Sequence, residues 1–173
     1  MTRHSSRFRT AAPFGLMMAV FFFAASATPA DANSFSIVNT DALVFGAFVA
    51  GTGGTVTIGA STGARSATGG VTLMNSAYRA ARFTVSCVAG GGADTCTSTS
   101  IYSIDPVAGI TLTSGANSMS VGNFSVYSIN TANSSGQLSG GTDSLKVGAT
   151  LTVGNNQPPG SYSGSFSVIV AYQ

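Results

Sequence analysis

The segment "SLKVGATLTVGNNQPPGSYSGSFSVIVAYQ", residues 144–173, closes the chain. Its first ten residues alternate without a break. Leu145, Val147, Ala149, Leu151 and Val153 fall on one side of an extended chain, and Ser144, Lys146, Gly148, Thr150 and Thr152 on the other. Side chains of a strand point in turn to its two faces, so this segment has one face for a core and one for water. The pattern returns near the end. Tyr162, Phe166, Val168, Val170 and Tyr172 are large and apolar, while Ser161, Ser163, Ser165 and Ser167 are small and polar. Between the two runs, Pro158 and Pro159 fix φ and remove ladder donors, and Gly160 restores backbone freedom. The two runs are therefore expected to form strands 144–153 and 162–172, paired as a hairpin.

Upstream the same texture continues. Gly, Ser, Thr, Ala and Val dominate, turn clusters recur every few positions, and no helix-period pattern follows residue 33. Strands are expected at 42–49, 55–59, 71–74, 81–88, 101–104, 110–113 and 119–126. The glycine-rich stretches "AGTGGT", "GASTGARSATGG", "AGGGAD" and "SSGQLSGGT" read as loops. Many short, evenly spaced strands of this kind predict an all-β, immunoglobulin-like antiparallel sandwich.

The first 32 residues are set apart. Arg3, Arg7 and Arg9 precede the apolar run Phe14–Ala25, and Ala30-Asp31-Ala32 offers a small-x-small cleavage pattern. This is the design of a secretory signal peptide. The run is shorter than the roughly 20 residues that span a bilayer. Residues 33–173 are then expected to be one exported domain in the periplasm, at the cell surface or outside the cell. Arg65, Arg79, Arg82 and Lys146 balance Asp41, Asp94, Asp105 and Asp143 there. No basic run remains for nucleic acid. Cys87 and Cys96 are the only cysteines, and in an exported chain they are expected to form a disulfide. Closing so short a loop stabilises by about 2.5–3 kcal/mol in the chain-entropy model.

Catalytic parts are scarce. The only His, His4, lies in the signal segment, so no Ser-His-Asp or Cys-His arrangement can be built in residues 33–173. The four Asp read as turn formers, and Lys146 as a solvated lysine on the wet face of its strand. Beyond the cysteine pair there are no transition-metal donors. The expectation is a protein that is not an enzyme and needs no cofactor.

The pieces "ALVFGAF", "GGTVTIGASTGARSATGGVTLM", "AARFTV", "GITLTSGANSMSVGNF", "VGATLTVGNNQPPGSYSG" and the terminal "VIVAYQ" resemble the bacterial family labelled domain of unknown function 4402. The resemblance covers nearly all of residues 33–173. The stretch holding Cys87 and Cys96 departs from the usual pattern. That family is similar in turn to pilus subunits of the chaperone–usher type. Such subunits commonly end in an alternating strand with a penultimate aromatic, here Tyr172, and a glycine fourteenth from the end, here Gly160.

The resemblance implies a sandwich lacking one strand. The gap would be filled first by a periplasmic chaperone and then by the N-terminal extension of another subunit. Gly160, Tyr162, Phe166, Val168, Val170 and Tyr172 would line the receiving edge. Phe35 and Ile37, in "NSFSIVNTD", are the candidate donor anchors; the same segment could instead be the domain's own first strand. The expected partners are sister copies or other pilus subunits and a chaperone. The second reading is a self-contained module binding polysaccharide or matrix, with Tyr78, Tyr102 and Tyr127 as candidate stacking residues.

Overall fold

The computed structural model describes residues 34–88, 100–106 and 108–172. The expected signal peptide, Asp94 and Cys96 lie outside them. The described residues form strands without helices, and every pairing between strands is antiparallel. The expected all-β class is what the chain adopts.

The centre is the strand of perfect alternation, which runs Thr142–Val153 and is the eleventh in chain order, β11. Its apolar face, Leu145, Val147, Ala149, Leu151 and Val153, is buried throughout. Both of its edges are occupied. Along one lies β9 (Asn117–Ser128), paired from Leu145↔Ser128 to Leu151↔Val121. Along the other lie two strands end to end: β6 (Ala81–Val88) against residues 142–147, then β3 (Gly54–Ile58) against residues 149–153.

Gly148 stands where one neighbour gives way to the next. A Cβ there would overlap the Ile58 carbonyl oxygen and press on the Ala60 backbone nitrogen. Opposite this point the register of β9 slips by one residue, between Gly148 and Thr150, and Asn123 takes φ 48°. This is a β-bulge, and it lets β9 follow the bend of β11. Three strands extend the sheet: β1 (Ser34–Asp41) on β6, β4 (Arg65–Gly69) on β3, and β8 (Ile110–Ser114) on β9.

Two smaller sheets face this large one. The first joins β10 (Gly136–Gln137), β7 (Ile101–Pro106) and β12 (Val168–Tyr172). It closes a core of Val85, Tyr102, Leu138 and Leu145, against which Phe35, Ile37, Phe83 and Val170 pack. The second pairs β2 (Phe48–Val49) with β5 (Thr72–Leu73). It covers a larger core that includes Phe45, Val56, Ile58, Met119, Val121 and Leu151. Each fully buried aliphatic side chain contributes about 1.5–3 kcal/mol, so both cores matter to stability.

Three expectations are corrected. The 144–153 and 162–172 runs do not form a hairpin, because β11 has no free edge to offer; β12 pairs instead with β7, from Val168↔Pro106 to Tyr172↔Tyr102. The strand expected at 42–49 is divided, with only Phe48–Val49 in a ladder. Residues 65–69, read as loop, form β4, whose threonine and small residues satisfy a ladder with β3 without any apolar signal.

Replacing Gly148 by Ala is expected to destabilise the fold by at least about 3 kcal/mol, the upper part of the range for overpacking, since backbone on both sides leaves no room to relax. Chemical denaturation of the variant beside wild type measures it. An effect below about 1 kcal/mol would show that the strands can part there at little cost.

Candidate functional site

A groove of about 1480 Å³ runs over the inner face of the large sheet. Its floor is the large sheet, through Ile110, Leu112, Met119, Val121 and Leu151. One wall is residues 42–51 and the other residues 156–166. None of the lining residues carries a charge.

The first wall is held from behind. Val44 exchanges both backbone hydrogen bonds with Arg79, each 2.9 Å, and Ala47 accepts one from Met74. Arg65, on β4, reaches across: Nη1 donates to the Phe45 carbonyl at 3.1 Å and Nη2 to the Met74 carbonyl at 2.6 Å, while the guanidinium lies 4.6 Å from the Tyr78 ring centroid. Gly46 (φ 75°) permits this, since a Cβ there would collide with Arg65 Nη1.

The second wall carries three of the six expected terminal site residues, Gly160, Tyr162 and Phe166; Val168, Val170 and Tyr172 lie outside the groove, on β12. Gly160 lies against Ser114. The Tyr162 hydroxyl donates to the Pro158 carbonyl at 2.8 Å and accepts from Gln157 Nε2 at 2.9 Å. Ser163 exchanges both backbone bonds with Thr113, at 2.9 and 3.1 Å, and Gly164 passes closely over Thr111 and Leu112. Phe166 packs on Phe124 and Phe83, with centroids 5.1 and 6.1 Å apart.

The single strand expected over 162–172 is thus two pieces. The chain borders β8 through one bridge at Ser163, then crosses to the other layer and joins β7 from Val168 onward. One ladder cannot follow both layers, and Phe166 sits at the corner. Tyr162, Phe166, Val168 and Val170 are half-buried, and the residues between are exposed, Ile169 by 58%. Tyr172 pairs through its backbone with Tyr102. Among the described residues, β12 pairs with β7 alone.

Phe35 and Ile37 are in this domain's own β1, paired with β6. Phe35 lies 5.1 Å from the Tyr102 ring, and both pack on the smaller core. Cys87 is on β6; the pairing expected of it falls on a residue outside those described. No group of three or more His, Cys, Asp or Glu is gathered among the described residues.

Two polar residues stand elsewhere than expected. Asp143 is no turn former: it is 3% exposed inside β11 and accepts hydrogen bonds from the Tyr102 hydroxyl (2.7 Å), the Ser128 hydroxyl (2.6 Å) and the Asn130 backbone (3.3 Å). Tyr102 is fully buried, so it cannot stack on a ligand. The pattern contained a clue. Asp143 continues the odd, apolar series of β11 by one step inward from Leu145. A carboxylate on that face requires donors, and Tyr102 with Ser128 supplies them.

Burial, and then the Asp143 carboxylate to which it donates, push the Tyr102 phenol well above its ordinary value near 10. The neutral phenol's contribution is therefore whole below pH 10 and declines as pH rises past the unfolded value. Thermal stability should fall above about pH 10 in wild type, and less steeply in Tyr102→Phe. Asp143→Ala, which strands two buried hydroxyl donors, should cost about 2–4 kcal/mol at neutral pH. Parallel pH slopes for wild type and Tyr102→Phe would refute the assignment.

No curated protein and no solved structure matches the chain. One family does, over residues 35–172, which take in both walls, the floor and both cores: the chain belongs to the family described as domain of unknown function (DUF4402).

Proposed function

We propose that this protein is an exported, non-enzymatic structural subunit, similar to pilins, and that copies assemble by β-strand complementation with the groove as the receiving site. The observation that carries the reading is the groove's size and chemistry. In a sheet layer, a residue takes about 3.3 Å along the strand, about 4.8 Å across and about 10 Å in depth, or roughly 160 Å³. A groove of about 1480 Å³ then has room for about nine residues of extended chain. Small-ligand pockets usually hold about 300–1,000 Å³ and place a few polar groups for orientation. Here the lining is uncharged and mostly apolar, which suits a strand of the same composition.

The occupant is the β1 segment of a second copy. Its residues 34–38, "SFSIV", are uncharged and alternate as a donor must. Among the described residues, β1 pairs in the large sheet with β6, and Phe35 and Ile37 pack on the smaller core. The strand runs directly into the first groove wall, and Asn39 already lines the groove. A released β1 therefore emerges beside the receiving site. Insertion into a neighbour is a head-to-tail contact, which grows into an open chain. In this reading Phe35 and Ile37 serve the subunit's own core until exchange, and a periplasmic chaperone holds the groove before assembly. A disulfide from Cys87 to Cys96 would tie the far end of β6, which β1 leaves.

Size-exclusion chromatography with light scattering on the exported protein tests this. Multimers that grow with concentration are expected. Val49→Lys places a cation on a groove residue that is 54% exposed, so the fold should persist while the protein becomes monomeric. A wild type that remains monomeric at every concentration and melts in one two-state transition would overturn the proposal.

A further inference from the structure

The four Lys and Arg among the described residues are not scattered. Arg79, Arg82 and Lys146 line one cleft of about 120 Å³, together with Thr62, Gly63 and Tyr78. Across the outer face of the large sheet they form part of a row. Asp41 on β1 pairs with Arg82 on β6, Arg82 with Lys146 on β11, and Lys146 with Tyr127 on β9. Arg82 and Lys146 are like charges placed directly opposite each other, an arrangement that destabilises a sheet.

Nearby neutralisation is slight. Among the described residues, Asp41 is the carboxylate paired with these cations; its oxygens lie 3.6 Å from Arg79 Nε and 3.9 Å from Arg82 Nε, in pairs that are largely exposed. Such pairs contribute little. The Nη groups of both arginines have no hydrogen-bond partner among the described residues. Lys146 Nζ donates once, to the Ser61 carbonyl at 3.3 Å, and lies 6.0 Å from the Tyr127 ring centroid. Arg65 is different, since its Nη1 and Nη2 donate to carbonyls of the groove wall and its neighbour Met74. In a domain whose charges sum to near zero, three of the four cations converge on one concave spot, with donors unspent among the described residues.

We infer that this cleft binds an oxyanion, the carboxylate or sulfate group of an acidic polysaccharide. The two arginines supply planar forks suited to a two-oxygen acceptor, and Lys146 adds a point charge. Thr62 offers a hydroxyl and Tyr78, 45% exposed, an aromatic rim for the sugar that bears the anion. A nucleic acid would require a longer basic track with aromatic residues spaced along it, which this single cleft does not provide.

The exported protein is tested for binding to polygalacturonate, to dextran sulfate and to neutral dextran, at low and high salt. Binding to at least one acidic polymer and none to dextran is expected; the stronger of the two identifies carboxylate or sulfate as the group preferred. The double variant Arg79→Lys/Arg82→Lys keeps the charge and loses the forks, and should weaken binding about tenfold or more. Chemical-shift mapping of wild type with inorganic sulfate needs no variant, and should move the Arg79, Arg82 and Lys146 signals together. The inference fails if the lysine variant binds as wild type does, if neither acidic polymer binds, if duplex DNA binds more tightly than both, or if the sulfate shifts lie elsewhere.

Discussion

The approach of two backbones at Gly148 governs this fold. There the end of β3 and its following turn pass so close to β11 that no side chain fits. That contact allows β11 to serve β6 along its first half and β3 along its second while β9 holds the opposite edge. One strand thereby spans both cores. With both edges of β11 used, the chain that leaves Val153 cannot fold back as a hairpin. It must travel round the rim, touch β8 at Ser163, and enter the facing layer late. The facing layer is built from two separate sheets, and the groove is the space between residues 42–51 and the connecting segment 156–166.

Such a groove presents a physical problem. Its floor is the inner face of the large sheet, where Leu112, Val121 and Leu151 belong to the core. Its walls are chain segments whose backbone bonds run to neighbouring segments, Val44 with Arg79, Ala47 with Met74 and Ser163 with Thr113, while the Asn156 N–H of one wall donates to the Gly51 carbonyl of the other. Apolar surface is costly to leave wet, and open strand edges invite pairing. Water filling the space would solvate the backbone groups and not the aliphatic floor. An extended segment satisfies both, offering amides to the walls and alternate side chains to the floor. On the proposed reading, the Arg65 clamp on the first wall and the Tyr162–Gln157 pair on the second brace these edges in advance, which would reduce the ordering cost of taking up a strand.

Much of this was readable in the sequence, but not all. The unbroken alternation from Leu145 to Val153 assigned the buried face correctly, because period two leaves no other way to segregate apolar side chains. The alternation of Val168 and Val170 placed them inward for the same reason. Pattern says which face a residue takes and is silent on which strand lies beside it. The partner of β12 depended on the occupancy of β11, a long-range fact with no local signature. The division of residues 162–172 was hidden for a similar reason: Ser163 and Gly164 continue the small-residue rhythm while the backbone changes layers. β4 was missed because Thr68 pairs with Thr55 through hydroxyls, 2.7 Å apart, without any apolar side chain to announce a strand. The groove's floor residues could be listed as apolar from sequence, but not the groove itself, which depends on where segments 42–51 and 156–166 run over the large sheet.

The distribution of charge joins these features. On the proposed reading, a subunit that offers an uncharged groove and the uncharged stretch 34–38 of β1 would be heavily penalised for carrying an unpaired charge into the groove. Three of the four cations among the described residues, Arg79, Arg82 and Lys146, gather instead in the outer cleft, while Arg65 is tied to the groove wall. Lys146 and Arg82 point away from the core that Leu145, Val147 and Phe83 face, so they lie on the side of the large sheet opposite the groove. A chain of subunits joined through their grooves would keep that outer face exposed on every copy, and the cationic cleft would repeat along the assembly. A weak oxyanion site on one subunit then becomes a multivalent one on the polymer, with avidity that a single cleft could not reach. On this view the sparse charge of the sequence is a division of labour: neutral edges for self-association, and one small positive site per copy for what the assembly touches.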